Sequence, residues 1–287
     1  MKIGAMTDSF KLPIREALAA AKAAGADGVQ MYAVQGEMAP ENLGAAARRE
    51  LKSHIAGLGL EVAALCGDLG GHGFEREADN PAKIAKSREI ILLASDLGAP
   101  VVTTHIGVVP DNDADPAYRA IRLALSELAA FAASRGVTFA IETGPEPAAT
   151  LARLLDDINS PGMGVNFDPA NLAMVQNEDI PAAAATLGKR IVHTHAKDGR
   201  NLIPCSGARV YGAFADGSWS RYVEELGGFP FEETPLGEGQ VPWPAYLEAL
   251  RQAGYDGYLT IEREGGDDPG RDIRRAVAFL RTFVPEP

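Results

Sequence analysis

The stretch VTFAIETGPEPAATLARLLDDINSPGMGVNFD, Val137 to Asp168, contains two short apolar runs, and each of them ends in a carboxylate. The runs are rich in β-branched and aromatic residues and predict strands at Val137–Thr143 and Met163–Asp168. An Ala- and Leu-rich segment of helical character lies between them. A strand, a helix and a second strand in this order predict two parallel strands joined by a helical crossover.

The same unit repeats along the whole chain. The other predicted strands are Lys2–Met6, Gly28–Ala33, Glu61–Gly67, Pro100–Gly107, Ile191–Ala196 and Gly257–Glu262. Several of the intervening helical segments begin after Asp or Asn with Pro in the first turn and end in Gly. Eight units in unbroken alternation predict an α/β protein with one (β/α)8 TIM barrel over residues 1–287. A doubly wound open sheet is disfavoured because no GxGxxG follows the first strand.

Spacing between polar strand ends predicts one long insertion. Glu142, Asp168 and His195 are separated by 26 and 27 residues, whereas His195 and Glu262 are separated by 67. The extra residues fall at about 199–240, after the seventh strand. They are rich in Gly and aromatic residues and show no clear secondary-structure pattern.

Long loops of this kind are usually functional or disordered. Because the insertion follows a barrel strand, it is expected at the end of the barrel where active sites form. We therefore predict a lid or cavity wall that uses three aromatic residues, Tyr211, Phe214 and Trp219. A surface elaboration or a subunit contact is the alternative.

Composition limits the classes of function. Of 287 residues, 46% are hydrophobic and 23% charged, which is typical of a soluble globular protein. The net charge of −12 opposes binding to a nucleic-acid backbone, which requires clustered Lys and Arg. The first residues lack signal-peptide features, no apolar run is long enough to span a bilayer, and two cysteines make no disulfide framework. We expect a cytoplasmic protein with neither a nucleic-acid nor a membrane partner.

Alternation along the late strands sorts their side chains into two faces. The bulky apolar set suits packing against outer helices, which leaves the small and polar set pointing into the barrel. Four of these inward residues stand at the carboxyl ends of the fifth to eighth strands, where TIM-barrel active sites gather. They are Glu142, Asp168, His195 and Glu262.

Three carboxylates in one small space repel one another and raise one another's pKa. A divalent cation removes that conflict. Three oxygen ligands and one imidazole favour Mn²⁺, with Co²⁺ or Mg²⁺ as alternatives and Zn²⁺ disfavoured. The competing interpretation is that each carboxylate pairs with a basic residue such as Lys197 or Arg263.

The segment HTHAKDG, His193 to Gly199, places two histidines on the same face of one strand. One strand presents only its outermost side chain to a site at the barrel mouth. We therefore predict His195 as the metal ligand. His193 lies one layer lower in the barrel, and we predict that it holds the side chain of His195 or Asp168 in position.

Seven segments in order, CGDLGGHGF, VVTTHIG, FAIETGPE, VNFDPANL, HTHAKDG, PLGEG and GYLTIERE, resemble the xylose-isomerase-like TIM-barrel superfamily over nearly the whole chain. The resemblance to its ketose 3-epimerases implies that Glu142, Asp168, His195 and Glu262 hold the metal. It also implies that the two glutamates exchange protons with a carbon next to a carbonyl through a metal-stabilised enediolate. The implied activity is isomerisation or epimerisation of a small sugar, keto sugar or cyclitol.

The chain departs from the ketose 3-epimerases where those enzymes bind substrate. Asn171, Asn201 and Ala148 stand where they carry His, Arg and Glu. The superfamily also contains an inosose dehydratase and enzymes that cleave 3-oxo-glycosides, and the HxHxKD pattern resembles that branch at least as closely. A lyase or dehydratase is therefore the alternative. A non-catalytic binding subunit and a DNA-repair enzyme like endonuclease IV are disfavoured by the intact metal residues, the five histidines and the acidic charge.

Six residues are predicted to contact the substrate: His105, Glu146, Asn171, Lys197, Cys66 and Trp219. For His105 and Cys66 the alternative is packing in the protein core. For Lys197 it is a salt bridge to Glu262 or Glu264. The sequence leaves open which sugar is the substrate, whether it is phosphorylated, and whether the protein forms a homo-oligomer such as a dimer or tetramer.

Overall fold

The computed structural model describes residues 1–285 and contains a closed barrel of eight parallel strands. The strands in chain order are β1 (Lys2–Met6), β2 (Gly28–Tyr32), β3 (Glu61–Cys66), β4 (Val101–Thr104), β5 (Thr138–Glu142), β6 (Met163–Phe167), β7 (Ile191–Ala196), β8 (Asp198–Asn201), β9 (Phe231–Thr234) and β10 (Tyr258–Ile261). All but β8 and β9 belong to the barrel. Parallel pairing of β1 with β10 closes it, with Ile3 opposite Leu259.

The predicted fold class is thus confirmed. Every predicted strand is present, and β1 and β7 have the predicted bounds. The largest difference is at β4, which ends at Thr104 rather than at Gly107, because the carbonyl of Ile106 accepts a hydrogen bond from Phe74 of a loop. Residues 286 and 287, the end of the predicted range, lie outside the described part of the chain.

Helices surround the barrel. They are α1 (Ile14–Ala24), α2 (Ala45–Gly57), α3 (Asn80–Leu97), α4 (Pro116–Ser134), α5 (Ala148–Ile158), α6 (Pro169–Asn171), α7 (Ile180–Leu187), α8 (Gly207–Ala215), α9 (Trp219–Leu226), α10 (Trp243–Gln252) and α11 (Pro269–Arg281). The residues predicted to begin and end helices do so. Asp115 caps α4 ahead of Pro116, and Gly98 ends α3 in the left-handed conformation. Within residues 1–285, no helix has the length and apolarity needed to cross a bilayer.

The main hydrophobic core lies between the strands and the outer helices. Phe139, Val165 and Phe167 are fully buried there, on the outward faces of their strands, as the alternation predicts. Inside the barrel, a small apolar cluster of Ala64, Val101 and Ala140 fills the lower part. Polar residues occupy the interior above it, so the barrel changes from apolar to polar toward its carboxyl end.

The insertion between β7 and α10 is ordered, which corrects the expectation of a loop without secondary structure. It contains α8, α9 and the antiparallel hairpin of β8 and β9. Both helices are short, and residues such as Val210 and Tyr222 bury their side chains against neighbouring elements. Short helices of this kind depend on tertiary packing more than on local propensity, so a sequence pattern identifies them poorly.

Asp198, at the start of the insertion, holds its two ends together. Its buried carboxylate accepts hydrogen bonds from the backbone N–H of Gly199 at 2.9 Å and of Val241 at 3.1 Å. The second oxygen accepts from the N–H of Gly237 and from Nε1 of Trp243, both at 2.9 Å. One side chain therefore fixes where the chain leaves β7 and where it returns to α10.

We expect Asp198→Ala to lower the free energy of unfolding by at least about 3 kcal/mol, because three backbone N–H groups and one indole N–H lose a charged acceptor. Trp243→Phe removes only one of these bonds and should cost about 1–2 kcal/mol. Urea denaturation of both variants measures the difference. Equal losses in the two variants would contradict the central role of Asp198.

Candidate metal centre and adjoining cavity

Four side chains meet at the carboxyl ends of β5, β6, β7 and β10. They are Glu142, Asp168, His195 and Glu262, and one ligand atom of each lies within 4.8 Å of the others. All four are buried. The structure thus brings together the set that strand alternation predicted, and its donor chemistry of three carboxylates and one imidazole fits a divalent cation.

His195 directs one ring nitrogen at the carboxylates. Its Nδ1 lies 3.3 Å from Asp168 Oδ2 and from Glu262 Oε2, and 3.6 Å from Glu142 Oε1. Burial lowers the pKa of His195, but the charges of Glu262 and Glu142 outweigh it and raise the pKa well above its usual value. Without a cation a proton therefore balances these charges, and a bound metal would replace that proton.

Gln30, on β2, orients the imidazole from the other side. Its Oε1 lies 2.8 Å from His193 Nε2 and 3.3 Å from His195 Nε2. Because an amide oxygen only accepts hydrogen bonds, these two contacts are satisfied when each histidine carries its proton on Nε2. Asn166 Nδ2 also lies 3.2 Å from His195 Nε2 and donates to Glu142. His195 is thus left with Nδ1 available as a ligand, as is usual for a metal-bound histidine.

Of the two partners considered for His193, His195 and Asp168, the structure has the first. His193 reaches His195 through the shared Gln30 oxygen, and no hydrogen bond joins it to Asp168 within residues 1–285. Burial and the positive charge of His195 lower the pKa of His193 to about 3, so this ring is neutral. Its place is beneath His195, held by a neutral hydrogen bond.

Asp168 divides its two oxygens between structure and site. Oδ1 accepts hydrogen bonds from the N–H groups of Ala170 at 2.8 Å and Asn171 at 2.9 Å, which caps α6. Oδ2 faces His195. Since the cap fixes the carboxylate plane, Asp168 offers one preorganised oxygen to a cation.

Glu142 is oriented by two amides. Asn166 Nδ2 donates to its Oε2 at 3.1 Å, and Asn171 Nδ2 donates to its Oε1 at 3.2 Å. Asn171 also lines the adjoining cavity. The residue that stands in place of the substrate-binding histidine of ketose 3-epimerases is therefore in contact with a carboxylate of the metal centre.

Glu262 is paired with Lys197, whose Nζ lies 3.0 Å from Glu262 Oε2 and also contacts Glu264. Burial raises the pKa of Glu262, but the charges of Lys197 and His195 lower it well below its usual value. The salt bridge considered as an alternative for Lys197 is present. Lys197 nevertheless lines the cavity, so the two roles are compatible.

A cavity of about 470 Å³ opens next to the metal centre. Its wall includes the two glutamates, Glu142 and Glu262, whereas Asp168 and His195 lie behind it and are at most 1% exposed. The other sides are formed by the Gly-rich loop after β3 and by the insertion. Two of the four residues of the metal centre can therefore also touch a molecule in the cavity.

Four of the six predicted substrate contacts line the cavity: His105, Asn171, Lys197 and Cys66. Trp219 does not, because it stacks behind Phe214 with 4.4 Å between ring centroids. Glu146 does not either, since it is buried below the surface and its Oε2 accepts from the N–H of Val109 at 3.2 Å. The two predictions that place these side chains in the substrate site are corrected accordingly.

Gln30, Asn166 and Tyr32 belong to the site but were not among the residues predicted from the sequence. Gln30 and Tyr32 share one face of the predicted second strand, and Tyr32 lines the cavity. Their inward direction could have been derived from the strand alternation. Their hydrogen-bond partners could not, because these depend on side-chain conformations across three strands.

The chain is similar in sequence to a known protein family and to a protein of known sequence. The family model described as a xylose isomerase-like TIM barrel matches residues 18–283. An uncharacterized protein of Methanocaldococcus jannaschii is 24% identical over 208 residues, which cover 69% of this chain. The match spans only 60% of the length of that relative.

Among solved structures, a xylose isomerase domain protein from Planctomyces limnophilus is 25% identical with a TM-score of 0.78, covering 98% of this chain and 95% of that one. A D-psicose 3-epimerase is 15% identical with a TM-score of 0.73, covering 100% of both chains. A probable 3-DHS dehydratase from Bacillus anthracis is 18% identical with a TM-score of 0.72, covering 98% of both. The last two likenesses are evidence of a shared fold alone.

We expect Glu142→Ala and His195→Ala each to weaken Mn²⁺ binding at least about 10-fold, because each removes a direct ligand. Elemental analysis after Mn²⁺ loading and dialysis measures the retained metal. Glu264→Gln is the matched control, since Glu264 lines the cavity outside the four-residue cluster. Equal metal contents in wild type, Glu142→Ala and His195→Ala would refute the metal centre.

Burial of the Glu146 carboxyl group should make the free energy of unfolding depend on pH. Burial raises its pKa to about 8, and its Oε1 has no hydrogen-bond partner within residues 1–285. The folded state therefore retains a proton that the unfolded chain releases near its ordinary value of 4.5, so the free energy of unfolding falls as pH rises from about 4.5 to 8. Glu146→Gln should be more stable than wild type by about 1–3 kcal/mol at pH 8.5 and similar to it at pH 5.

Chemical denaturation at the two pH values measures this effect. Glu248→Gln serves as control, because Glu248 is exposed on α10 and should give no pH-dependent difference from wild type. A constant difference between Glu146→Gln and wild type across this range would show that Glu146 does not titrate in the folded protein as described.

Proposed function

The chain belongs to the xylose isomerase-like TIM-barrel family, and within it we propose a divalent-metal-dependent isomerase or epimerase of a small sugar, keto sugar or cyclitol. One observation carries this proposal. Glu142 and Glu262 belong to the candidate metal centre and also face the cavity, whereas Asp168 and His195 face only the centre. Two carboxylates in this position suit proton exchange with a bound substrate.

Glu142, Asp168, His195 and Glu262 would hold the cation, with Mn²⁺ as the first candidate. When bound, it supplies Lewis acidity toward a substrate carbonyl and the neighbouring hydroxyl group. One glutamate takes the proton from the carbon next to the carbonyl. The other returns a proton to the opposite face of that carbon or to its neighbour.

The surrounding residues support these roles. Lys197 forms an ion pair with Glu262 and keeps its carboxylate ionised next to the cavity. Asn166 and Asn171 hold Glu142 in a defined orientation. A proton-transferring group needs this kind of fixed position, because the donor and acceptor atoms must lie within hydrogen-bond distance in the reacting complex.

The charge of the cavity wall supports an unphosphorylated substrate. Besides Glu142 and Glu262, the lining includes four acidic residues, Asp68, Glu75, Glu233 and Glu264. Among the described lining residues the only Lys or Arg is Lys197, which is already paired with two carboxylates. A phosphate group normally needs Arg, Lys or a free helix N-terminus. We therefore propose a neutral sugar as the substrate and neither a nucleic acid nor a membrane as a partner.

A lyase or dehydratase acting on a 3-oxo-sugar is the second candidate. Elimination needs a proton donor for the departing oxygen, and His105 and Lys197 line the cavity beside the two glutamates. Moreover, Asn201 donates to the carbonyl of Met174 at 2.6 Å and does not line the cavity. The substrate-binding arginine of ketose 3-epimerases therefore has no counterpart at this position. A cytoplasmic location and a homo-oligomeric state stay predictions from the sequence.

Incubation of the Mn²⁺-loaded protein with neutral keto sugars and 3-oxo-sugars in D2O separates the two candidates. An isomerase or epimerase places solvent deuterium on the recovered or rearranged sugar, whereas a lyase yields an unsaturated or cleaved product. We expect Glu142→Gln and Glu262→Gln each to slow the reaction at least about 100-fold, because each removes a proton-transferring group. Mass spectrometry and NMR measure both outcomes.

The matched control is Glu238→Gln. Glu238 lies on the surface, pairs with Arg275 and does not line the cavity, so this variant should react like wild type. Absence of deuterium exchange and of product with every sugar, or rates unaffected by both active-site substitutions, would refute the proposed function.

A further inference from the structure

The cavity is larger than the proposed chemistry requires. Its volume of about 470 Å³ falls in the range of roughly 300–1,000 Å³ that encloses drug-sized ligands. A single sugar ring placed against Glu142 and Glu262 leaves the outer part of this space unfilled. The chemistry of the side chains around that outer part therefore indicates which group of the ligand, besides the sugar ring, is bound there.

A row of rings leads outward from the metal centre. His105 Nε2 lies 3.7 Å from Glu142 Oε1, and its ring centroid is 5.5 Å from that of Tyr211. The next ring is Phe214, 6.4 Å from Tyr211 and nearly perpendicular to it. Each step moves from the carboxylates at the strand ends toward the α8 helix of the insertion, so Phe214 lies at the outer end of the cavity.

Phe214 is exposed and yet held in place. Half of its surface is accessible to solvent although it lines the cavity. Trp219 stacks on it with 4.4 Å between centroids and 22° between planes. Trp219 is supported in turn by Phe231, at 5.6 Å. A supported aromatic ring that is half exposed is suited to pack against an apolar or aromatic group.

The position of α8 is fixed independently of any ligand. Asp216, just beyond its end, lies 2.8 Å from Nε2 of His72 in the Gly-rich loop after β3, which also lines the cavity. Tyr211 packs so closely against the backbone after β5 that a Cβ at Gly144 would overlap its hydroxyl group. Because both contacts exist in the free protein, the Phe214 surface is preorganised.

The outer part of the cavity differs from the inner part in polarity. Phe214 and Ala215 of α8 and Phe231 of β9 supply apolar surface there, and the largely buried Met174 and Val175 lie beside it. The acidic residues of the wall disfavour an anionic group at the same place. The surface of Phe214 and Phe231 is called the aromatic platform below.

We propose that the aromatic platform is a subsite for the aglycone of a glycoside whose sugar ring carries the reacting carbonyl group, and that this aglycone is apolar or aromatic and not anionic. The sugar ring of the same molecule then lies against Glu142 and Glu262. This inference rests on the proposed function for the inner part of the cavity and names the class of substrate that fills the outer part. It predicts a preference for glycosides over free monosaccharides.

Isothermal titration calorimetry with matched pairs of phenyl and methyl D-glucopyranosides, in both anomeric forms, tests the subsite. The Mn²⁺-loaded protein should bind the phenyl member of one pair about tenfold more tightly than the methyl member, because only the phenyl group stacks on Phe214. Phe214→Ala should reduce this ratio to near one. Since Trp219 stacks on Phe214, phenyl glycosides should also change the tryptophan fluorescence of the wild type.

Phe229→Ala is the control, because Phe229 lies in the same insertion and is 63% exposed but does not line the cavity. It should keep the tenfold preference. Equal affinities for the two members of both pairs, no binding of any of them, or an unchanged preference in Phe214→Ala would overturn the subsite.

The glucopyranosides lack a carbonyl group and serve only as binding probes, so deuterium exchange with keto sugars and 3-oxo-sugars on the same preparations distinguishes this inference from the function on which it rests. A phenyl preference without any proton exchange or product would overturn the proposed function and leave the subsite intact. Exchange or product formation without a phenyl preference would overturn the subsite alone.

Discussion

Burial of three carboxylates around one imidazole is the constraint on which the rest of the site depends. Isolated buried charges are strongly unfavourable, and like charges this close repel each other further. Each carboxylate is stabilised by a different means: Asp168 by the backbone of α6, Glu142 by two amides, and Glu262 by Lys197. The amide and backbone groups carry no net charge, so the centre stays negative enough to attract a cation.

The convergence of the four residues of the candidate metal centre was predictable because it depends on geometry that the backbone imposes. Side chains alternate strictly along a strand, and the carboxyl ends of all barrel strands lie at one face. A register shift between β6 and β7 at Val165 and Asn166 did not disturb the prediction, since His195 stays at the outer end of its strand. The bounds of β7 could be read from its apolar residues directly.

Other parts of the site could not be derived in this way. Gln30 is one of many polar residues on strands, and only the folded barrel brings it beneath two histidines from β7. Trp219 and Phe214 are both aromatic residues of the insertion, and the sequence does not determine which ring faces the cavity and which supports it. These features depend on tertiary packing between segments that are distant in the chain. Local patterns of hydrophobic and polar residues do not predict such packing.

The cavity is built from two sources. The barrel strands supply the charged groups at its inner end, and the insertion supplies the rings at its outer end. Asp198 ties the first residues of that insertion to its last ones, so the segment begins and ends at nearly the same point. Its helices can therefore be lengthened, shortened or replaced in evolution without moving β7 or α10. Ligand preference and reaction chemistry are thereby inherited on separable stretches of the gene, and a new specificity can arise while the metal centre is left unchanged.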